Sequence, residues 1–204
     1  MTDRLHRIVS QIKPRHIIIL LLVICGALTL YLNGGKESKP TNGQNDVVAS
    51  KGINNFVRFA APRPLSDFTF ELESGEKAGL EAFRGEVLVV NFWATWCAPC
   101  RKEMPQLEAL QVHFSDQPVR VIALSLDRGT GDKPRRFLQE LGVEQLTFAH
   151  DGSYKAGRAV GLIGLPTTLL VDRQGREIGR LAGEADWNSP AAQALVQAAI
   201  ETQE

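Results

Sequence analysis

From Asp67 onward apolar and polar residues alternate, Phe68, Phe70 and Leu72 interleaving with Asp67, Thr69 and Glu71 ahead of Ser74-Gly75. A period of two predicts a half-buried strand ending in a turn. Leu80-Glu81-Ala82-Phe83 reads as a short helical turn closed by Gly85, and Val87 to Phe92 as a near-continuous apolar run. Such a run predicts a strand covered on both faces. The period then changes. Cys100, Met104 and Leu107 recur at i, i+4 and i+7, predicting a helix from Cys97 to about Ser115 with a kink at Pro105.

Val119 to Leu126 predicts a second buried strand, and Pro134 to Leu141 a helix opened by Asp132. Leu146-Thr147-Phe148 is a short apolar piece, and Tyr154 to Val160 reads as helical. Thr167 to Val171 and Glu177 to Leu181 flank the turn residues Asp172 to Gly175, a hairpin signal. Ser189-Pro190 supplies an N-cap with proline at the first helical position, so a last helix is expected through about Thr202. Strands separated by helices and closed by an antiparallel hairpin imply a three-layer α/β fold around a mixed central sheet.

The first third follows another pattern. Residues 1–16 are basic (Arg4, Arg7, Lys13, Arg15 against Asp3) and precede the uncharged run Ile17 to Leu32. About 16 apolar residues flanked by His16 and Asn33 read as a single transmembrane anchor. The positive-inside rule places residues 1–16 in the cytoplasm and everything beyond about residue 33 outside. A cleaved signal peptide is the competing reading, but Tyr31 to Lys36 offers no Ala-x-Ala site; lipidation at Cys25 would need a small residue where Ile24 stands. Residues 33–52 are rich in Gly, Ser, Asn and Lys, as in a tether, and Ile53 to Ala61 is expected to form a short helix before Pro62 and Pro64. The expected organisation is therefore 1–16 cytoplasmic, 17–32 anchor, 33–63 linker and lead-in, and 64–204 a single domain.

The formal net charge is zero over 204 residues, which gives nucleic-acid binding no support. Of three cysteines, Cys25 lies in the apolar run, so Cys97 and Cys100 stand alone in the domain. In an oxidising compartment a pair at this spacing is a redox centre or half a metal site. The order strand, aromatic bend, Cys-x-x-Cys, helix places Cys97 where unpaired N–H groups favour a thiolate. Cys97 is the expected attacking thiol, and Cys100, one turn inside, the resolving one. Glu103, three residues on, is positioned to accept the proton of Cys100; the alternative is a surface acid paired with Arg101 or Lys102. Trp96 is expected partly exposed against substrate and Trp93 mainly structural, with Trp187 capping the last helix.

Other chemistries compete. Cys97, Cys100 and His113 match the first three ligands of a zinc finger, yet Gln117, Pro118 and Val119 supply no second histidine, so no metal site is expected. His113 and His150 read as solvated or core-edge residues. A Cu(I) metallochaperone using the Cys97/Cys100 dithiol is the main alternative function. A peroxidase of similar fold would need a Thr-x-x-Cys loop, whereas Thr95 is only two residues before Cys97.

The segment from Trp93 to Pro105 (WATWCAPCRKEMP), together with Gly164-Leu165-Pro166-Thr167-Thr168, resembles the TlpA/ResA-like membrane-anchored thioredoxins of the bacterial envelope, over about residues 64–202. Ala182 to Trp187 resembles the TlpA branch. The resemblance implies a thioredoxin fold and a cis Leu165–Pro166 bond facing the cysteines. It further implies substrate contacts from Trp96, Pro99, Leu165 and Pro166, with the Leu165 backbone pairing with the substrate strand. Glu103 matches an acid associated with the active site in this family, while Asn91 stands where thioredoxin itself carries a buried aspartate and cannot take that proton. The neutral Ala98-Pro99 insert implies a reducing pair. No cofactor is implied beyond a redox-active Cys97–Cys100 disulfide. The expected partners are protein disulfides, among them apocytochrome c or a copper-site protein of oxidase assembly, a membrane-embedded electron donor, and the inner membrane itself through residues 17–32. The domain would lie in the periplasm.

Overall fold

The structure, a computed structural model, describes residues 47–49, 53 and 55–202. The chain divides into units of residues 1–44 and 45–204, and all described residues belong to the second. The expected anchor at 17–32, the basic segment before it and most of the tether lie outside the described residues. No helix among the described residues is long and apolar enough to cross a membrane.

The strands are β1 (Val47–Ala49), β2 (Phe56–Pro64), β3 (Phe70–Leu72), β4 (Lys77–Ala78), β5 (Val87–Trp93), β6 (Val119–Ser125), β7 (Thr147–His150), β8 (Thr167–Val171) and β9 (Arg176–Ala182). The helices are α1 (Ala98–His113), α2 (Asp132–Glu140), α3 (Lys155–Ala159) and α4 (Pro190–Glu201), with a 3-10 turn at Leu80–Phe83. One sheet runs β1-β2-β9-β8-β5-β6-β7-β3-β4. It is mixed: β5, β6 and β7 are parallel neighbours, and the remaining pairs are antiparallel.

The pleat of β5 sorts its residues. Val87, Val89 and Trp93 join the core under α1 and α4, together with Met104, Leu107, Val196 and Ala199. Leu88, Val90 and Phe92 face the opposite core, with Phe68, Phe70 and the α3 residue Ala156. This two-sided burial is why the segment reads as unbroken apolar sequence. Each large apolar side chain so buried contributes roughly 1.5–3 kcal/mol. Asn91 shares the face of Val89 and Trp93, so its polar amide is directed beneath α1.

One expectation is corrected. The predicted short helix at 53–61 is instead strand β2, whose Phe56, Val57 and Arg58 pair with Leu181, Arg180 and Gly179 of β9. The register shifts between Arg58 and Arg63, which accommodates Pro62 in an interrupted ladder. An open edge on β9 thus captures a segment whose prolines forbid a helix interior. Gly179 permits the approach, since a Cβ there would lie 2.4 Å from the Val57 carbonyl oxygen. Thr147 and Phe148 of the short apolar piece belong to β7, parallel to β6.

Candidate active site

Two adjacent strands bring the sequence-distant motifs together. β5 and β8 run antiparallel with Phe92 opposite Thr167 and Asn91 opposite Thr168. The chain leaves β5 into the cysteines at the same end where it enters β8 from the Leu165–Pro166 bond, which is cis as expected. The Thr167 hydroxyl donates to Gly164 O at 2.8 Å, and Gly183 N–H to Pro166 O at 2.9 Å, fixing that loop. The site lies beyond the carboxyl ends of parallel strands, where open α/β sheets hold their chemistry.

Cys97 and Cys100 form a disulfide. Cys97 is the N-cap of α1, and its Sγ accepts from Cys100 N–H at 3.3 Å. Pro99 fits the first turn because the N–H it lacks would have no helical partner there. Cys97 is 5% exposed and Cys100 fully buried, the order expected of attacking and resolving thiols. Pro99 is exposed, Leu165 half-buried and Pro166 buried. Trp96 stands 68% exposed beside Cys97, whereas Trp93 is buried and packs against Phe137. Ile163, 92% exposed in the loop before the cis bond, is a second bare apolar residue that periodicity did not single out.

Glu103 is 1% exposed, which excludes the surface ion pair; Lys102 pairs instead with Glu184 at 3.2 Å. Its Oε1 accepts from Asn91 Nδ2 at 2.7 Å, and its Oε2 from Trp187 Nε1 at 3.2 Å and Ala185 N–H at 3.4 Å. Burial pushes its carboxyl up from 4.5 to about 7; the Asn91, Ala185 and Trp187 hydrogen bonds oppose the rise and nearby Glu184 adds to it. An opening of about 230 Å³ lined by Lys102, Gln106 and Glu184 leads to this carboxyl from solvent.

Trp187 is therefore no simple cap for α4. It is buried and delivers its indole N–H to Glu103 across 84 residues of chain. Asn91 likewise does more than replace an acid: its Nδ2 donates to both Glu103 and Thr168 Oγ1, leaving its buried Oδ1 without a partner. Sequence reasoning weighed Asn91 only as a proton carrier; its inward parity on β5 was the signal for a positioning role.

Beyond β6 lies Asp127, which was not anticipated. Its carboxylate accepts from Thr95 N–H at 2.8 Å, Thr95 Oγ1 at 2.5 Å and Ser125 Oγ at 2.9 Å, clamping the bend that carries Trp96 and Cys97. His150, read as solvated or core-edge, is buried with Nε2 2.8 Å from Asp127 O; a carbonyl only accepts, so the ring proton sits on Nε2. His113 is exposed at the far end of α1, about 24 Å along the helix from its start, remote from the cysteines.

Residues 60–196 match the Redoxin family. The thiol-disulfide oxidoreductase ResA of Bacillus thuringiensis subsp. konkukian is 32% identical over 167 residues, 82% of this chain and 86% of that protein. The thiol:disulfide interchange protein HelX of Rhodobacter capsulatus is 36% identical over 99 residues, 48% of this chain and 53% of its own. A crystal structure described as thiol:disulfide interchange protein DsbE from Chlorobium tepidum superposes with a TM-score of 0.58 at 30% identity, covering 69% of this chain and 95% of that one.

Proposed function

The chain belongs to the Redoxin family and is a thiol-disulfide oxidoreductase of thioredoxin fold, and from that premise we propose that it acts as a reductant of envelope proteins, tethered to the bacterial inner membrane by residues 17–32 with residues 64–204 as its periplasmic domain. The observation that carries this reading is the Cys97–Cys100 disulfide at the start of α1, backed by a buried carboxyl whose pKa lies near 7.

In the reduced protein, the Cys97 thiolate attacks a substrate disulfide, forming a mixed disulfide and expelling one substrate thiolate, which is protonated by solvent. The Cys100 thiol gives its proton to the Glu103 carboxylate and attacks Cys97 Sγ. The second substrate thiolate leaves, two electrons have passed to the substrate, and the Cys97–Cys100 disulfide results. Glu103 then returns its proton to solvent through the opening beside Lys102 and Glu184. Asn91 serves both protonation states, since turning its amide presents the unpartnered Oδ1 to a protonated Glu103. Trp96, Pro99 and the Leu165–Pro166 backbone receive the substrate segment.

Reduction in an oxidising compartment demands electrons from a membrane-embedded donor, which gives the tether its purpose. The neutral Ala98-Pro99 insert, the remoteness of His113 and the commitment of His150 Nε2 to Asp127 O supply no strong thiolate stabilisation, which favours a reducing pair. The relatives ResA, HelX and DsbE are named for disulfide exchange, and cytochrome c or cytochrome oxidase maturation is the process we assign to this chain by its resemblance to that group. Equilibration with glutathione buffers tests the direction: a potential near thioredoxin's, about −270 mV, is expected, and one above about −180 mV overturns it. Trapping the mixed disulfide of Cys100→Ser in cells identifies the substrate. A reporter fused after Glu204 that is active only in the cytoplasm overturns the topology.

A further inference from the structure

Beside the aromatic bend lies a cavity of about 790 Å³ whose lining includes Trp96, Asp127, Arg128, Lys133, Tyr154 and Arg158. Three of its nine lining residues are cations. Arg128 is exposed and has no ion pair or hydrogen bond among the described residues. The Lys133 side chain is largely exposed and lies 3.8 Å from Asp127 Oδ1. Arg158 is exposed and spends one N–H on Ser153 O at 3.1 Å, leaving the rest of its guanidinium uncommitted among the described hydrogen bonds.

The carboxylates nearby are already occupied. Asp127 accepts from Thr95 and Ser125, and Asp151 from Ser153 and from Ala156 N–H. Asp132 is turned to Arg135 and Thr130. With Lys133 paired to Asp127, the charge the cavity leaves unbalanced towards solvent is that of Arg128 and Arg158. Its wall is a built one: Tyr154 holds a left-handed backbone at φ 60°, and Gly157 leaves space for its ring, since a Cβ there would lie 2.9 Å from Tyr154 Cε1. Trp96 forms the rim, and the next residue is the attacking Cys97.

We propose that this cavity is a specificity pocket that receives an acidic side chain of the polypeptide being reduced, a carboxylate lying a few residues from its reactive cysteine. A carboxylate entering here meets the Arg128 and Arg158 guanidinium groups, with Trp96 covering the stem of the side chain. The occupant is polypeptide because Trp96 couples the pocket to the thiol that must reach a protein disulfide. The inference rests on the oxidoreductase reading and adds to it the charge of the substrate.

The test uses the reduced full chain in non-ionic detergent and two synthetic disulfide-bonded peptides of one sequence, carrying Glu or Gln at the positions flanking the cysteine. At low salt the acidic peptide is expected to be reduced about tenfold faster, the advantage shrinking to about twofold near 0.5 M salt, where the Debye length falls to a few ångströms. Arg128→Glu, which breaks no described hydrogen bond, is expected to invert the preference, and Arg128→Gln/Arg158→Gln to bring the two rates together. Equal rates for the two peptides at low salt, or a preference unchanged in Arg128→Glu, overturns the pocket while leaving the oxidoreductase reading intact. Reduction of neither peptide overturns both.

Discussion

Glu103 and Asp127 are both buried carboxylates within one element of the disulfide, yet their surroundings differ. Asp127 receives its hydrogen bonds from the bend itself, the Thr95 N–H and hydroxyl, and from Ser125 on the neighbouring strand. It therefore holds the shape of the segment that carries Trp96 and Cys97. Glu103 receives its bonds from an amide and an indole on other elements and a distant backbone N–H, and a small opening connects it to solvent. In the mechanism we propose, it gains and loses a proton without releasing the bend. Burial alone does not make a proton carrier; the partners and the route to water decide.

The largest expected effect breaks the Asp127 half of the comparison. Asp127→Ala leaves Thr95 and Ser125 donors buried without acceptors, and should lower stability by about 4 kcal/mol, since each such group costs about 1–3 kcal/mol. Urea unfolding at neutral pH measures it, and a loss below about 1 kcal/mol would remove the clamp role.

The wild-type protein should show a stability that depends on Glu103 with a definite sign. Its carboxyl titrates at about 7 in the folded protein against an ordinary 4.5, so between those values the native state holds a proton the unfolded chain has released. Stability then falls as pH rises through that window, by about 3 kcal/mol in all, and levels off above it. Glu103→Gln lacks this slope; comparing denaturant midpoints of the two oxidised proteins from pH 4 to 8 isolates it. Parallel curves would show that Glu103 does not carry the proton.

The same substitution sharpens the comparison kinetically. Resolution of the mixed disulfide by Cys100 should rise with pH through about 7 in the wild type and become about a hundredfold slower and nearly flat in Glu103→Gln. Stopped-flow measurement with a chromogenic disulfide reads both features. A fold defect alone would slow the reaction without flattening the profile.

The smallest effect concerns the donors that oppose Glu103's rise. Trp187→Phe removes one hydrogen bond to the carboxylate, so the midpoint of the resolution profile should move upward, with about 1 kcal/mol lost from stability. A downward movement would contradict the assignment of Trp187 as a donor to the charged form.

Much of the site was legible in the chain. The run from Val87 to Phe92, the capping position of Cys97, the i+3 placement of Glu103, and Ser189-Pro190 at the start of α4 are all local signals, and the structure places each as read. What failed locally was also informative. The 53–61 segment carries aromatics and a β-branched residue ahead of Pro62 and Pro64, compatible with several conformations, and pairing with the edge of β9 makes it a strand. His150 and Trp187 have no neighbours in sequence that reveal their burial.

The sequence by itself determined the periodicities, the caps and the dithiol at a helix start, because those depend on residues within a few positions of one another. The tertiary structure alone decided which side chains surround Glu103, because Asn91, Ala185 and Trp187 come from segments 12 to 84 residues away and meet only when β5, α1 and the segment before α4 pack together. A carboxyl's proton affinity is set by how much water and which dipoles surround it in space. The spacing Cys-x-x-Cys-x-x-Glu therefore names the acid, and the fold supplies its pKa.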